Sequence, residues 1–206
     1  MAGSLPEDTL QSLATLILAS AVVMGSPGPS TMSALAVSAA FGFLRSMRYV
    51  SGLIVGTTTV LIGISAGVVA VLLSQPAVAR VFVYASAAYI LYLALQIARA
   101  PPLTEHASDV PAPSFFPGYI LAVANPKAWF AIAAVFAGST LVEGSRSSDG
   151  LAKVIVLAAM IVIIHVGWVL AGSSLARMLR DPVASRVANI VFAVILAVTA
   201  ILPLLR

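Results

Sequence analysis

Charged residues are spaced so widely in this chain that they divide it into long apolar runs, and that spacing decides its solvent. Residues 9–44 carry no charge at all. Uncharged runs follow at 49–79, 81–98, 154–176 and 187–205, and residues 114–142 are apolar except for Lys127. A helix that crosses a bilayer needs about 20 mainly apolar residues. Charged residues make up only 9% of the chain, where a soluble domain carries roughly 25%. No soluble core of this length hides 61% hydrophobic residues, so lipid must be the solvent for most of them. The pattern predicts an all-α membrane protein of about six transmembrane helices.

Several function classes drop out on composition. The net charge of +4 comes from 11 basic and 7 acidic residues, but the basic ones do not cluster with aromatics, so nucleic acid is not expected as a partner. With no cysteine, thiol redox chemistry and thiolate metal sites are excluded. No His-Glu-x-x-His, phosphate-cradling loop or nucleophile elbow is present, so neither an enzyme nor a cofactor is expected. Glu7 and Asp8 precede the first apolar run and no Lys or Arg does. That is unlike a secretory signal, and the first helix is expected to stay in the mature protein.

The first run is too long for one straight crossing. Its roughly 36 residues would reach about 54 Å, against about 30 Å of hydrocarbon. Its middle holds Ser26-Pro27-Gly28-Pro29-Ser30. Two prolines remove two backbone donors, and Gly28 loosens the turn between them. A broken helix is expected, with one half before Pro27 and one after Pro29. The fourth run has a similar break at Asn125-Pro126-Lys127. Irregular backbone at membrane depth survives only where protein or a watery cavity covers it, so both breaks should face inward and meet.

The breaks lie about half a chain apart, each near the start of a three-helix half, which suggests two inverted repeats. Repeat one covers about 9–99 and repeat two about 114–206. A proline-rich linker at about 100–113 joins them within a single transmembrane domain, residues 1–206. Arg45, Arg48, Arg99, Arg177, Arg180 and Arg186 fall on one side, and Arg80, Arg146, Lys153 and Arg206 on the other. The positive-inside rule puts the first group in the cytoplasm and both termini outside.

Lys127 is the one formal charge expected deep inside a span, where a lysine costs roughly 2.5–3.5 kcal/mol on insertion scales. All seven acids fall in loops or at the N-terminus, so no protein counter-ion is expected for it. Three outcomes stay open: a neutral amine, bonds to carbonyls freed by the breaks, or a substrate carboxylate as partner. Removing its charge is then expected to leave the fold intact. His165 sits in the fifth span, three residues before Trp168, and is either a proton-coupling residue or a packing histidine. Thr57, Thr58 and Thr59, with Ser86, Tyr89 and Tyr92, carry hydroxyls that usually bond their own helix. Gly52, Gly56, Gly63 and Gly67 fall near one helix face and predict close helix packing, with a homo-oligomer interface as the alternative.

These motifs resemble the LysE/RhtB family of bacterial amino-acid exporters. The resemblance rests on Ser26-Pro27-Gly28-Pro29, the glycine-spaced second span, residues 87–94 of the third, and Asn125-Pro126-Lys127-Ala128-Trp129-Phe130. It covers nearly the whole chain. It implies a secondary transporter in the bacterial cytoplasmic membrane that exports an amino acid or related small metabolite, driven by the proton gradient. Many relatives carry an aspartate about where His165 stands here, a departure that bears on proton coupling and on affinity for cationic side chains. The candidate substrate site is Ser26, Pro27, Gly28, Pro29, Ser30, Asn125, Pro126 and Lys127. The rival reading is a non-transporting membrane scaffold or assembly subunit whose breaks serve packing alone.

Overall fold

The computed structural model describes residues 7–67, 76–99, 111–175 and 181–201, and those residues are helical apart from short connections. Helix α1 spans Glu7–Ala19 and runs into a wide π turn at Ser20–Met24. Helix α2 spans Pro29–Ser65, α3 Pro76–Arg99, α4 Phe115–Ala124, α5 Pro126–Ala137, α6 Arg146–Leu175 and α7 Pro182–Ile201. Both expected breaks are present. Residues 25–28 separate the π turn from α2, and Asn125 separates α4 from α5, whose axes are bent by 61°.

Helix α2 is itself two helices joined at Gly42, which has φ +76° and ψ 173°. That left-handed conformation favours glycine, so the turn falls there. Arg45 and Arg48 accordingly lie in helix just beyond the turn rather than in a loop. Other helices also begin before the charge boundaries suggest. Asp181 Oδ1 accepts from the backbone N–H groups of Val183 and Ala184 at 2.7 and 2.9 Å, and Pro182 follows it, so α7 starts at Pro182. Helix α6 starts at Arg146 and takes Lys153 inside. Charge marks where lipid ends, whereas caps mark where helix ends.

By length and apolar composition, α2 and α6 are the described helices able to cross a membrane, and the bent α4–α5 pair makes a third if counted as one span. The sequence spacing predicts about six. The breaks account for part of the gap, because they leave α1, α4 and α5 individually too short. Most of the linker, residues 100–110, lies outside the described residues, as do Arg177, Arg180 and Arg206.

Two apolar cores lie along the bundle. One gathers Leu35, Leu53, Ile90, Leu121, Val169 and Phe192, and the other gathers Leu16, Val60, Leu61, Ile132, Leu157 and Ile161. In the first, helices touch backbone to backbone. A Cβ on Gly52 would strike the Phe115 carbonyl, one on Gly118 the Tyr49 carbonyl, and one on Gly56 the Tyr119 carbonyl and the Ala122 side chain. Gly172 in α6 meets Leu35 and Ser38 in the same way. Gly63 is half-buried. Gly67 is a correction to the expected stripe. It lies past the end of α2 at φ +84°, exposed and with open space around it, so it turns the chain rather than packing a helix.

Gly52→Val should destabilise the folded protein by about 1–3 kcal/mol through overpacking, or abolish folding. Gly150→Ala fills open space inside α6 and should stabilise it by about 0.5–1 kcal/mol. Thermal unfolding of the two purified variants in detergent checks both signs.

Candidate functional site

The two breaks are laced together. Proline at position 29 supplies no donor and starts α2, and Thr31 Oγ accepts from the Gly28 N–H at 2.9 Å, which satisfies the donor before the helix. At the other break Asn125 caps α5: its Oδ1 accepts from Lys127 N–H at 3.1 Å, and its carbonyl accepts from Ala128 N–H at 3.0 Å. The amide of the same side chain reaches across and donates to Ser30 Oγ at 3.0 Å. Ser30 and Asn125 are both buried. Proline at position 126 fixes the first turn of α5 and aims Lys127 at the opposite break.

The Lys127 ammonium donates to Ser26 Oγ at 2.8 Å, to the Pro27 carbonyl at 3.0 Å, and to the Ser26 carbonyl. Of the three outcomes left open by the sequence, the structure shows the second. The Ser26 and Pro27 carbonyls, in the irregular stretch before α2, become the partners of the lysine, while the Val23 carbonyl, which Pro27 cannot pair with, accepts from the Ser26 hydroxyl at 2.9 Å. Its stem lies against Gly28, where a Cβ would come within 2.6 Å of Cδ and 2.9 Å of Nζ. Gly28 has extended backbone, so its role is room for the lysine and not an unusual conformation.

Two further residues fix the first break. Trp168 Nε1 donates to the Gly25 carbonyl at 3.1 Å. The π turn leaves the Ser20 carbonyl to accept from Gly25 N–H at 3.2 Å. Sequence reasoning gave neither Trp168 nor Thr31 a part in the break. The pairing of an indole with a distant freed carbonyl leaves no periodic signal.

Lys153, which the charge boundaries put at the edge of a span, is buried inside α6. Its ammonium pairs with Asp149 at 2.7 Å and donates to the carbonyls of Phe136 and Ser139 at 3.0 and 2.7 Å. Asp149 Oδ1 in turn accepts from Leu141 and Val142 N–H. This cluster closes the C-terminal end of α5 onto α6. Its i,i+4 spacing, Asp149 before Lys153, is a readable signal.

Between the breaks lies a partly open pocket with a cavity volume of about 40 Å³. Its polar lining is Ser30, Thr31, Thr57, Asn125, Lys127 and His165, and Met24, Ile132 and Ile161 are among its apolar walls. His165 is 4% exposed, and its Nδ1 lies 2.8 Å from the Ile161 carbonyl. No Asp or Glu lines the pocket among the described residues, and no group of side chains there is placed to hold a metal ion.

Two broken helices that meet over a mainly apolar pocket with a few polar groups are the construction of a secondary transporter. The family follows from comparison with known sequences: residues 21–205 match the model for LysE type translocators, and the chain belongs to that family. It is a transporter and not an enzyme. A cysteine/O-acetylserine efflux protein of Escherichia coli (strain K12) is 32% identical over 180 residues, which covers 85% of this chain and 88% of the relative. One of Salmonella typhimurium (strain LT2) is 30% identical over 177 residues, with the same coverage. No solved structure matches the chain significantly.

Because Lys127 has three protein acceptors, the expectation that its charge is dispensable to the fold needs correction. Lys127→Met takes the ammonium from the Pro27 carbonyl and leaves the Ser26 carbonyl with the Thr31 hydroxyl at 3.3 Å, and should destabilise the protein by about 1–3 kcal/mol. Thermal or denaturant unfolding in detergent measures this, and unchanged stability would show that the bridge contributes nothing net.

Proposed function

We propose that this protein exports a small amino acid or close derivative across the bacterial cytoplasmic membrane, with the substrate carboxylate held where the two breaks meet. The observation that carries the reading is the Lys127 ammonium, set on neutral carbonyls at a pocket that no acidic residue lines among the described residues. A carboxylate entering the pocket exchanges those carbonyls for a charged acceptor, and hydrogen bonds to charged groups are worth about 1.5–3 kcal/mol. Ser30 and Asn125 stand beside it. The half-helix N-terminus at Pro126 adds a favourable field, although Asn125 already takes its first donors. The printed names of the relatives support small amino acids as substrates.

The architecture in this reading is six crossings in two inverted three-helix repeats, about 9–99 and 114–206, with the substrate site at their junction. Transport is a rocking of one repeat against the other. Both termini face outside and the Arg45 and Arg48 end faces the cytoplasm. Arg186 donates to the Ala98 carbonyl at 3.1 Å, so the basic ends of α3 and α7 share one side, as this orientation requires. His165 is the proton-coupling group. Lys127 is the other titratable residue lining its pocket among the described residues. Asp149 and Lys153 share its helix, with Lys153 about 18 Å away along the axis at 1.5 Å per residue.

Proteoliposomes loaded with unlabelled neutral amino acids should take up labelled L-cysteine or O-acetyl-L-serine by exchange. Gly28→Ala, which intrudes on the lysine stem, should cut that exchange at least tenfold, roughly the 1.4 kcal/mol of one weakened contact. Exchange at the wild-type rate in Gly28→Ala and Lys127→Met together would refute the site. His165→Gln should flatten the pH profile of transport between about pH 5.5 and about pH 8. An unchanged profile would leave His165 a packing residue.

A further inference from the structure

The pocket has buried polar atoms that the carboxylate site leaves unused. Buried side-chain hydrogen-bonding atoms without a protein partner are scarce in folded proteins, and each calls for a physical explanation. Among the described residues three such atoms stand out: Thr57 Oγ, Ser139 Oγ and His165 Nε2. Two of the three, Thr57 and His165, line this one pocket. They come from different helices, α2 and α6, and are 5% and 4% exposed.

Their chemistry is complementary to a donor. A carbonyl only accepts, so the 2.8 Å contact with Ile161 places the neutral ring's proton on Nδ1 and leaves the Nε2 lone pair as an acceptor. Thr57 is exceptional beside its neighbours. Thr58 and Thr59 return their hydroxyls to the carbonyls of Ile54 and Val55 at 2.8 and 2.9 Å, the usual fate of a hydroxyl in an apolar helix. Thr57 makes no such bond.

We propose that Thr57 and His165 form the seat for the substrate's ammonium group, so that the pocket recognises net-neutral zwitterions at two poles, with Lys127 at the carboxylate end. This rests on the carboxylate reading of Lys127 and extends it to the other end of the ligand. A ligand ammonium donates to Nε2 and to the Thr57 hydroxyl oxygen. The lone pair on Nε2 serves either a proton or the ligand, never both together, which links substrate release to protonation of the same atom. A second cationic group on the ligand finds no carboxylate in the pocket, so lysine-like substrates are disfavoured.

The test measures binding to purified protein in detergent by calorimetry. Each neutral L-amino acid of a panel is paired with its counterpart lacking the amino group, beginning with L-cysteine and 3-mercaptopropanoate under reducing conditions. The wild type should prefer the amino acid by about tenfold or more, the worth of one hydrogen bond to a charged group. His165→Leu should abolish that preference by weakening the amino acid alone, and His165→Gln, which keeps an acceptor, should restore part of it. Thr57→Val removes only an unpartnered hydroxyl and should narrow the preference while keeping or raising the unfolding temperature, so it carries the test if His165→Leu fails to fold. Lys127→Met should weaken both ligands alike. A result in which His165→Leu and Thr57→Val alter both ligands equally, or neither, overturns the ammonium seat. Unchanged binding in Lys127→Met, with the His165 effect intact, overturns only the carboxylate reading. A wild type that binds no member of the panel, or prefers L-lysine, overturns both.

Discussion

A lysine ammonium without an acid is the constraint around which this bundle is arranged. Lys127 sits between two broken helices and takes its partners from the broken backbone itself, the carbonyls of Ser26 and Pro27 with the Ser26 hydroxyl. The breaks and the lysine solve each other's problem. The broken backbone presents carbonyls that lipid cannot satisfy, and a cation at membrane depth needs acceptors. The arrangement works only because Gly28 leaves room for the lysine stem, and because Asn125 both caps α5 and reaches Ser30. A junction held by neutral acceptors is also replaceable. A charged acceptor of the right size offers the ammonium a stronger partner at the same place, and that is how a structural bridge becomes a binding site.

The packing around the junction is uneven in a way that suits a transporter. In the core that includes Leu53, Leu121 and Val169, Gly52, Gly56, Gly118 and Gly172 bring backbones into direct contact, so small displacements there are costly. In the other core, polar clamps such as Lys153 with Asp149 and the carbonyls of Phe136 and Ser139 tie α5 to α6. The pocket lies between the two breaks, with Ile132 and Ile161 shared between its walls and the second core.

Much of this was legible in the sequence, for identifiable reasons. Proline and glycine act on the backbone directly, so Pro27, Gly28, Pro29 and Asn125-Pro126 marked both breaks. The scarcity of acids marked Lys127 as unpaired. What stayed hidden depends on tertiary geometry. Gly42 turns the chain between charge boundaries, and nothing in composition separates it from the packing glycines of the same helix. Lys153 looked like a loop residue because a charge was taken as the end of a helix, whereas its ammonium folds back onto the end of α5. Thr57 is one of three consecutive threonines, and only the structure tells it from Thr58 and Thr59 by its missing backbone bond.

The most direct test of the junction as the substrate site is a crystal structure with L-Se-methylselenocysteine, a neutral zwitterion whose selenium can be located by anomalous scattering. The selenium peak should fall in the pocket between the breaks, with the ligand carboxylate on Lys127 Nζ in place of the Ser26 or Pro27 carbonyl. A ligand bound elsewhere, or a pocket ligand that leaves Lys127 on both carbonyls, would contradict the account.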